Sequence, residues 1–169
     1  TYYTSQTPPA PSLLLSEDFG VGNGTIPSPD TRGYAYEDQT TSTAGGGDTN
    51  QNINDFQYGV TNEIVAPFST WISPNDHTDP SDSNGRFLVI NVGTPSPGQI
   101  IYTKPINDII PNRPLRISLH IFNLVISSSI ILDPDLTIEI VDGGGTVIQS
   151  IRTGDIAKNT GPDDWVLFT

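Results

Sequence analysis

The chain has 169 residues, of which 19 are Asp or Glu and 7 are Lys or Arg, so its formal net charge at pH 7 is −12. That charge argues against nucleic acids and anionic membranes as partners, because both are polyanions, and it is compatible with cations as ligands. The absence of cysteine excludes disulfides, thiolate metal sites and cysteine nucleophiles. No apolar run reaches the roughly 18 residues of a membrane-spanning helix.

The first segment, TYYTSQTPPAPS at residues 1–12, is polar and proline-rich. Closely spaced prolines favour an extended, polyproline-like conformation, so this segment is predicted to be a linker that follows another domain. A ragged N-terminus is the alternative. A single β-domain is predicted from residue 13 to residue 169, and this length is sufficient to bury a hydrophobic core.

Short β-type runs, separated by Gly and Pro, follow from residue 13 onward. In chain order they are LLLSEDF, GYAYEDQ, RFLVINV, QIIYTKPI, LRISLHIFNLV, LTIEIVD and TVIQSIR. The run LRISLHIFNLV alternates most clearly, with an apolar face that carries Leu115, Ile117, Leu119 and Ile121. GGG at 143–145 predicts a hairpin between the last two runs. Since no segment keeps a helical period, the predicted fold class is all-β, an antiparallel β-sandwich or jelly roll.

Two regions depart from this pattern. Residues 20–54 are rich in loop-forming residues, and TTSTAGGGDTNQN at 40–52 is of low complexity. The C-terminal DDWVLFT begins a hydrophobic strand that would lack a hairpin partner in a jelly roll, and such an edge invites pairing. We therefore expect the jelly roll to be incomplete at its C-terminus, with the remaining strands beyond residue 169 or supplied by another chain.

An acidic stretch, NDHTDPSDSNG, directly precedes the strand RFLVINV. Its oxygen-bearing side chains recur every two or three residues and include Asp76, Asp79, Asp82 and Asn84. Ca²⁺ takes about six to eight oxygen ligands, so this density fits a cation-binding loop, although the EF-hand spacing is absent. The alternative is an acidic surface turn in which Asp and Asn cap backbone amides. If the acidic pair Glu17 and Asp18 lay beside this loop, the carboxylates would repel strongly unless a cation lay between them.

Aromatic side chains form a second candidate site. Jelly rolls often present aromatic rings on which sugars stack, and the candidates here are Tyr34, Tyr36 and Trp71, with Tyr58 and Trp165. The alternative is that these rings fill the core. The signatures G-x-S-x-G, H-E-x-x-H and the P-loop are missing from the sequence, so the chain is predicted to be non-catalytic. The two histidines, His77 and His120, are expected in the acidic loop and on the polar face of a strand.

The order of several motifs resembles a known family. SEDFG near the start is followed by Trp71, by DHT at 76–78, by NGRFLVINV, LRISLHIFNL and LTIEIVDGGGTVIQSIRTGDI, and by Trp165. This order is similar to that of the jelly-roll (MAM-like) domains repeated in large cell-surface and gliding-motility adhesins of Bacteroidetes, which the type IX secretion system exports. It is more distantly similar to MAM domains of animal receptors. The resemblance covers residues 13–169 and implies a jelly roll at the extracellular surface of the cell.

The resemblance also implies a cation site. In MAM-like domains the early acid and the DHT region contribute to such a site. Carried over to this sequence, the implied Ca²⁺ ligands are Glu17, Asp18, Asp76, Thr78 and Asp79. The cysteines of the animal domains are absent, so that analogy stops at the fold. The acidic strands that close the bacterial domains would lie beyond Thr169, so we expect the cation site to be incomplete in this chain.

Residues and resemblance together predict a non-catalytic extracellular module of a bacterial surface adhesin, stiffened by calcium. Its expected partners are a glycan or protein surface ligand, neighbouring domains of the same long chain and the secretion machinery. Nucleic acid and membrane insertion are not expected. The alternatives are a carbohydrate-binding module of a secreted hydrolase, a purely structural filament repeat, and a fragment captured as cargo of a secretion machine.

Overall fold

The computed structural model describes residues 13–22, 33–37, 53–64, 68–93, 98–110 and 113–169. Throughout these ranges the regular structure is β-strand, and no helix there is long and apolar enough to cross a membrane. The all-β prediction is therefore confirmed. The predicted linker at 1–12 and the low-complexity stretch at 40–52 lie outside the described residues.

The described part of the chain contains seven strands in three sheets. In chain order the strands are β1 (Ala35–Tyr36), β2 (Gln57–Thr61), β3 (Phe87–Asn91), β4 (Leu119–Ile121), β5 (Asp135–Val141), β6 (Val147–Asp155) and β7 (Val166–Phe168). The sheets are β1-β2-β3, β4-β7 and β5-β6, and every pairing is antiparallel except that of β1 with β2. This arrangement is consistent with a sandwich-type fold, and the jelly-roll order stays a prediction.

The first sheet supplies the hydrophobic core. In β3 the side chains of Phe87 and Val89 are buried, as the period of a strand requires. They form a cluster with Ile53 and Ile64, which flank β2 in the chain. Three partly buried residues from other segments pack against this cluster, namely Trp71, Leu124 and Trp165. The core therefore joins the first sheet to the segments that carry β4 and β7.

Strands β5 and β6 form the predicted hairpin. Leu136, Ile138 and Ile140 are half-buried on one face of β5, while the residues between them are exposed. At the turn, the Asp142 amide donates to the Thr146 carbonyl (2.9 Å) and the Gly145 amide donates to the Asp142 carbonyl (3.0 Å). Strand β6 is exposed along most of its length. The pairing of β5 with β6 shifts register twice, between Asp135 and Thr137 and between Ile140 and Val141, and the hairpin has little burial.

The C-terminal strand begins where DDWVLFT predicts it. Strand β7 pairs antiparallel with β4, with Leu167 opposite His120, so its partner is a strand distant in sequence. The alternation predicted for β4 is confirmed, since Leu119 and Ile121 are half-buried and His120 is exposed.

A buried polar junction connects β4 to the segment before β7. The Asn123 side-chain amide donates to the Ile156 carbonyl (2.8 Å), and the Asn159 side-chain amide donates to the Asn123 carbonyl (2.5 Å). Asn123 also accepts a hydrogen bond from the Val125 amide (3.0 Å). Both asparagines are buried. Buried amides are stable only with such partners, so this junction fixes how the two segments pack.

Two predicted strands are absent, and one observed strand was not predicted. LLLSEDF and QIIYTKPI are not strands. The first run keeps three leucines exposed and ends at Phe19 and Gly20, which both have positive φ. In the second run Pro105 lacks the N–H that a ladder needs. Conversely, β2 was not expected, because QYGVT has a central glycine and no clean alternation.

Candidate functional site

The acidic loop, residues 75–85, is fastened to the first described segment. The Gly22 amide donates to the Asn84 carbonyl (2.8 Å), and the Arg86 amide donates to the Gly20 carbonyl (3.0 Å). The Arg86 guanidinium also donates to the Val21 carbonyl (2.9 Å). The segment that follows Glu17 and Asp18 therefore runs antiparallel beside the exit of the loop.

Within the loop, each aspartate accepts hydrogen bonds from backbone amides further along the chain. Asp76 accepts from the amides of Thr78 (3.1 Å) and Asp79 (3.2 Å). Asp79 accepts from the Ser81 amide (2.9 Å) and hydroxyl (2.6 Å), and these bonds hold the pKa of the Asp79 carboxyl below its ordinary value. Asp82 accepts from the Asn84 amide (2.8 Å). These are turns stabilised by side-chain caps, the alternative that the sequence left open.

The acidic residues that precede the loop in the chain, Glu17 and Asp18, have hydrogen-bond partners outside the loop. The Glu17 carboxylate accepts a hydrogen bond from Lys104 Nζ (2.6 Å) and another from the Phe19 amide (3.2 Å). The Lys104 bond is the main reason why the pKa of Glu17 lies below its ordinary value. Asp18 accepts from the Gly20 amide (2.9 Å). The negative charge of Glu17 is therefore already balanced by the ammonium group of Lys104.

The structure places the five implied ligands in two groups. Asp76, Thr78 and Asp79 lie together in the loop, while Glu17 and Asp18 lie on the neighbouring segment. No three His, Asp or Glu side chains of the described residues converge into a metal-binding group. Each carboxylate has about four lone-pair sites, so the capped aspartates keep free oxygen lone pairs.

The start of the loop is fastened to the segment before β7. The Asn75 amide donates to the Pro162 carbonyl (3.0 Å), its side chain donates to Asp163 (2.7 Å), and its carbonyl accepts from Trp165 Nε1 (3.0 Å). Asp164 in turn caps the amides of Thr160 and Gly161, both at 2.9 Å. The acidic loop is thus held at both ends by other parts of the chain.

A cluster of rings that sequence reasoning missed lies beside this anchor. The imidazoles of His77 and His120 stack with their centroids 3.3 Å apart and their planes 26° apart. His77 makes an edge-to-face contact with Trp165, with ring centroids 5.9 Å apart. Trp165 also packs on Phe122, with centroids 5.3 Å apart. The contact pairs a loop residue with a distant strand residue, so no local pattern in the sequence could have indicated it.

The predicted aromatic platforms differ in exposure. Tyr34 is 8% exposed, and burial raises the pKa of its phenol. Tyr36 is half-buried, with its ring tilted against that of Tyr58 (5.9 Å). Trp71 is half-buried against the core and makes an edge-to-face contact with Phe68 (4.8 Å). Most of this aromatic surface is used in packing, as the alternative interpretation expected.

Comparisons of the chain with protein-family models, with characterised proteins and with solved structures find no match. The resemblance to bacterial surface adhesins therefore stays a prediction that depends on the motifs in the sequence.

Proposed function

We propose that the chain is a non-catalytic extracellular module of a bacterial surface adhesin, exported by the type IX secretion system, that presents or binds a glycan or protein ligand. The observation that carries the proposal is the acidic loop, which is fastened at one end to residues 20–22 and at the other to residues 162–165. The net charge of −12 and the cysteine-free, all-β chain support it, together with the motif order described above.

Calcium is the proposed cofactor of this loop. Ca²⁺ prefers carboxylate and carbonyl oxygens and tolerates irregular geometry. Asp76 and Asp79 would supply the lone pairs that their capping bonds leave free, and Thr78 would supply its carbonyl or hydroxyl oxygen. Asp18 would join from the neighbouring segment, and Glu17 would join after releasing Lys104. The ion would then tie the loop to the first segment more firmly than the present hydrogen bonds do.

The calcium proposal is tested by thermal melting in about 10 mM Ca²⁺ and in chelator. An extracellular-type site with a Kd of about 10⁻⁴–10⁻³ M would gain about 1.4–2.7 kcal/mol by mass action. This gain corresponds to a rise in Tm of about 3–10 °C. Asp76→Asn should abolish the rise. Asp142→Asn is the matched control, because Asp142 also caps backbone amides but lies in the hairpin turn. Equal Tm values in calcium and chelator would refute the calcium site.

The adhesin proposal is tested separately, by binding of the labelled chain to bacterial polysaccharides, to extracellular matrix proteins and to whole cells. Saturable binding to one of these surfaces is expected. Tyr36→Ala and Trp71→Ala then ask whether the half-buried rings contribute to glycan binding, with circular dichroism as the check on folding. The absence of binding to every surface would refute a direct ligand role and favour a structural filament repeat.

A further inference from the structure

The stacked histidines are the basis of an inference that is independent of the calcium proposal. His77 and His120 are the two histidines of the whole chain, and they come from different elements, the acidic loop and β4. Both side chains are exposed. Neither imidazole makes a hydrogen bond with any described residue. The pair therefore offers unused ring nitrogens at the protein surface.

The backbone at each histidine is held in position by neighbouring segments. His77 lies two residues after Asn75, which is anchored to Asp163 and to the indole of Trp165. His120 is fixed by its place opposite Leu167 in the β4–β7 pair. Desolvation and then the charge of His77 lower the pKa of His120, and metal ligation requires an imidazole in its neutral form.

We propose that His77 and His120 together bind a divalent transition-metal ion of the Zn²⁺ class, with water in the remaining positions. Zn–N bonds of about 2.0–2.1 Å in a tetrahedral site place two ligand nitrogens about 3.3 Å apart. The ring centroids are separated by 3.3 Å, so the two side chains are close enough to share one ion once the rings leave their stacked arrangement. The rings must splay so that both lone pairs point to the ion, and the exposed position of His77 leaves room for that rotation.

The chemistry of the pair selects against calcium. Imidazole nitrogen suits Zn²⁺, Cu²⁺ and Ni²⁺, whereas Ca²⁺ takes oxygen ligands. The acidic charge of the chain raises the local concentration of cations, and Asp76 adjoins His77 in the sequence. A bound ion would connect the acidic loop directly to β4, beside the connection that Trp165 already makes.

The test is calorimetric titration of the tag-free chain with Zn²⁺ at about pH 7.5. We expect one ion per chain, and affinity should fall at least about tenfold in His77→Asn and in His120→Asn, because loss of a ligand should cost no less than loss of an outer-shell partner. Asp79→Asn keeps both imidazoles and should retain zinc binding. No binding by the unaltered chain, or binding that persists in both histidine variants, would overturn the proposal.

A measurement without substitution complements the titration. Zn²⁺ should shift the imidazole NMR signals of both histidines in the unaltered chain at the same metal concentration. Shifts confined to one histidine or to carboxylates would contradict a shared site. The outcome is separable from that of the calcium melts, because Asp79→Asn removes a proposed calcium ligand and should leave the zinc-induced shifts of both histidines in place.

Discussion

The first sheet and the β5–β6 hairpin use strands in opposite ways. Strands β2 and β3 have five residues each, yet they lie beside Ile53 and Ile64 and supply Phe87 and Val89 to the core. Strands β5 and β6 have seven and nine residues and are the longest strands in the described part of the chain, yet almost all of β6 is exposed. The length of a strand in this molecule therefore does not indicate how much apolar surface the strand buries.

The difference follows from where the partners of each strand lie in the sequence. The hairpin strands find each other across a short turn, so their hydrogen bonds form locally and need few other elements. The core cluster collects side chains from distant segments, and burial of apolar surface there provides the main favourable free energy. Substitutions in the two regions should therefore have very different effects on global unfolding.

The largest effect should come from Ile64→Ala. Ile64 is 2% exposed within the core cluster, so truncation leaves a cavity and should lower the free energy of unfolding by about 2–5 kcal/mol. Ile148→Ala is the matched control in the hairpin, because Ile148 is 67% exposed and its truncation should stay within about 0.5 kcal/mol. Urea titration followed by tryptophan fluorescence measures both, and equal losses would contradict the contrast between the regions.

An intermediate effect is expected at the buried polar junction of Asn123 and Asn159. Asn123→Ala leaves the Ile156 carbonyl and the Val125 amide without their partner in a buried site, at a cost of about 1–3 kcal/mol. The control is Asn62→Ala, since Asn62 bonds the Ser83 carbonyl at an exposed position and should cost less. The same urea titration applies. If the Asn123 variant is as stable as the Asn62 variant, the junction contributes little to the free energy of unfolding.

The smallest global effect should come from the hairpin turn. Asp142 accepts hydrogen bonds from the amides of Thr146 (2.8 Å) and Gly144 (2.9 Å), which hold its pKa below the ordinary value of 3.8. Because the pKa of Asp142 is lower in the folded state than in the unfolded chain, its ionised carboxylate stabilises the folded state at pH values above the unfolded pKa. This contribution is lost as the pH falls through the folded-state pKa. Asp142→Ala should therefore speed amide exchange in β5 and β6 near neutral pH while the urea midpoint barely moves.

Acidification should reproduce that local opening in the unaltered chain. Below the ordinary carboxyl range the Asp142 caps weaken, so exchange protection in the hairpin should fall towards that of Asp142→Ala. Asp142→Asn, which has no charge to titrate, should show a smaller pH dependence. Hairpin protection that is independent of pH would mean that the turn is held by its backbone hydrogen bonds alone.

The hairpin was also the region that the sequence predicted best. Alternation in LTIEIVD and the following glycines describe a unit whose two strands are adjacent in the chain, so local pattern was sufficient. QYGVT was not predicted as a strand, because β2 is buried on nearly every residue and a strand buried on both faces shows no alternation of apolar and polar residues. LLLSEDF failed for the opposite reason, since its leucines are apolar but stay exposed.

The candidate sites divide in the same manner. The capping role of Asp76 and Asp79 was one of two alternatives readable from spacing, because the turns that they form are local. The anchoring of Asn75 to Asp163 and the stacking of His77 on His120 join segments far apart in sequence. Such contacts depend on how the sheets pack, which no local pattern encodes.

The tip of the hairpin has a practical consequence. A side chain added at Gly143 would meet no atom within 4 Å, and exposed loop tips of this kind tolerate insertions well. A peptide epitope or fluorophore-accepting tag inserted after Gly143 would be displayed at the end of the longest strands, distant in sequence from the core residues Ile53, Ile64 and Phe87. The chain therefore contains a natural point for attaching a label, and one that leaves both proposed metal sites untouched.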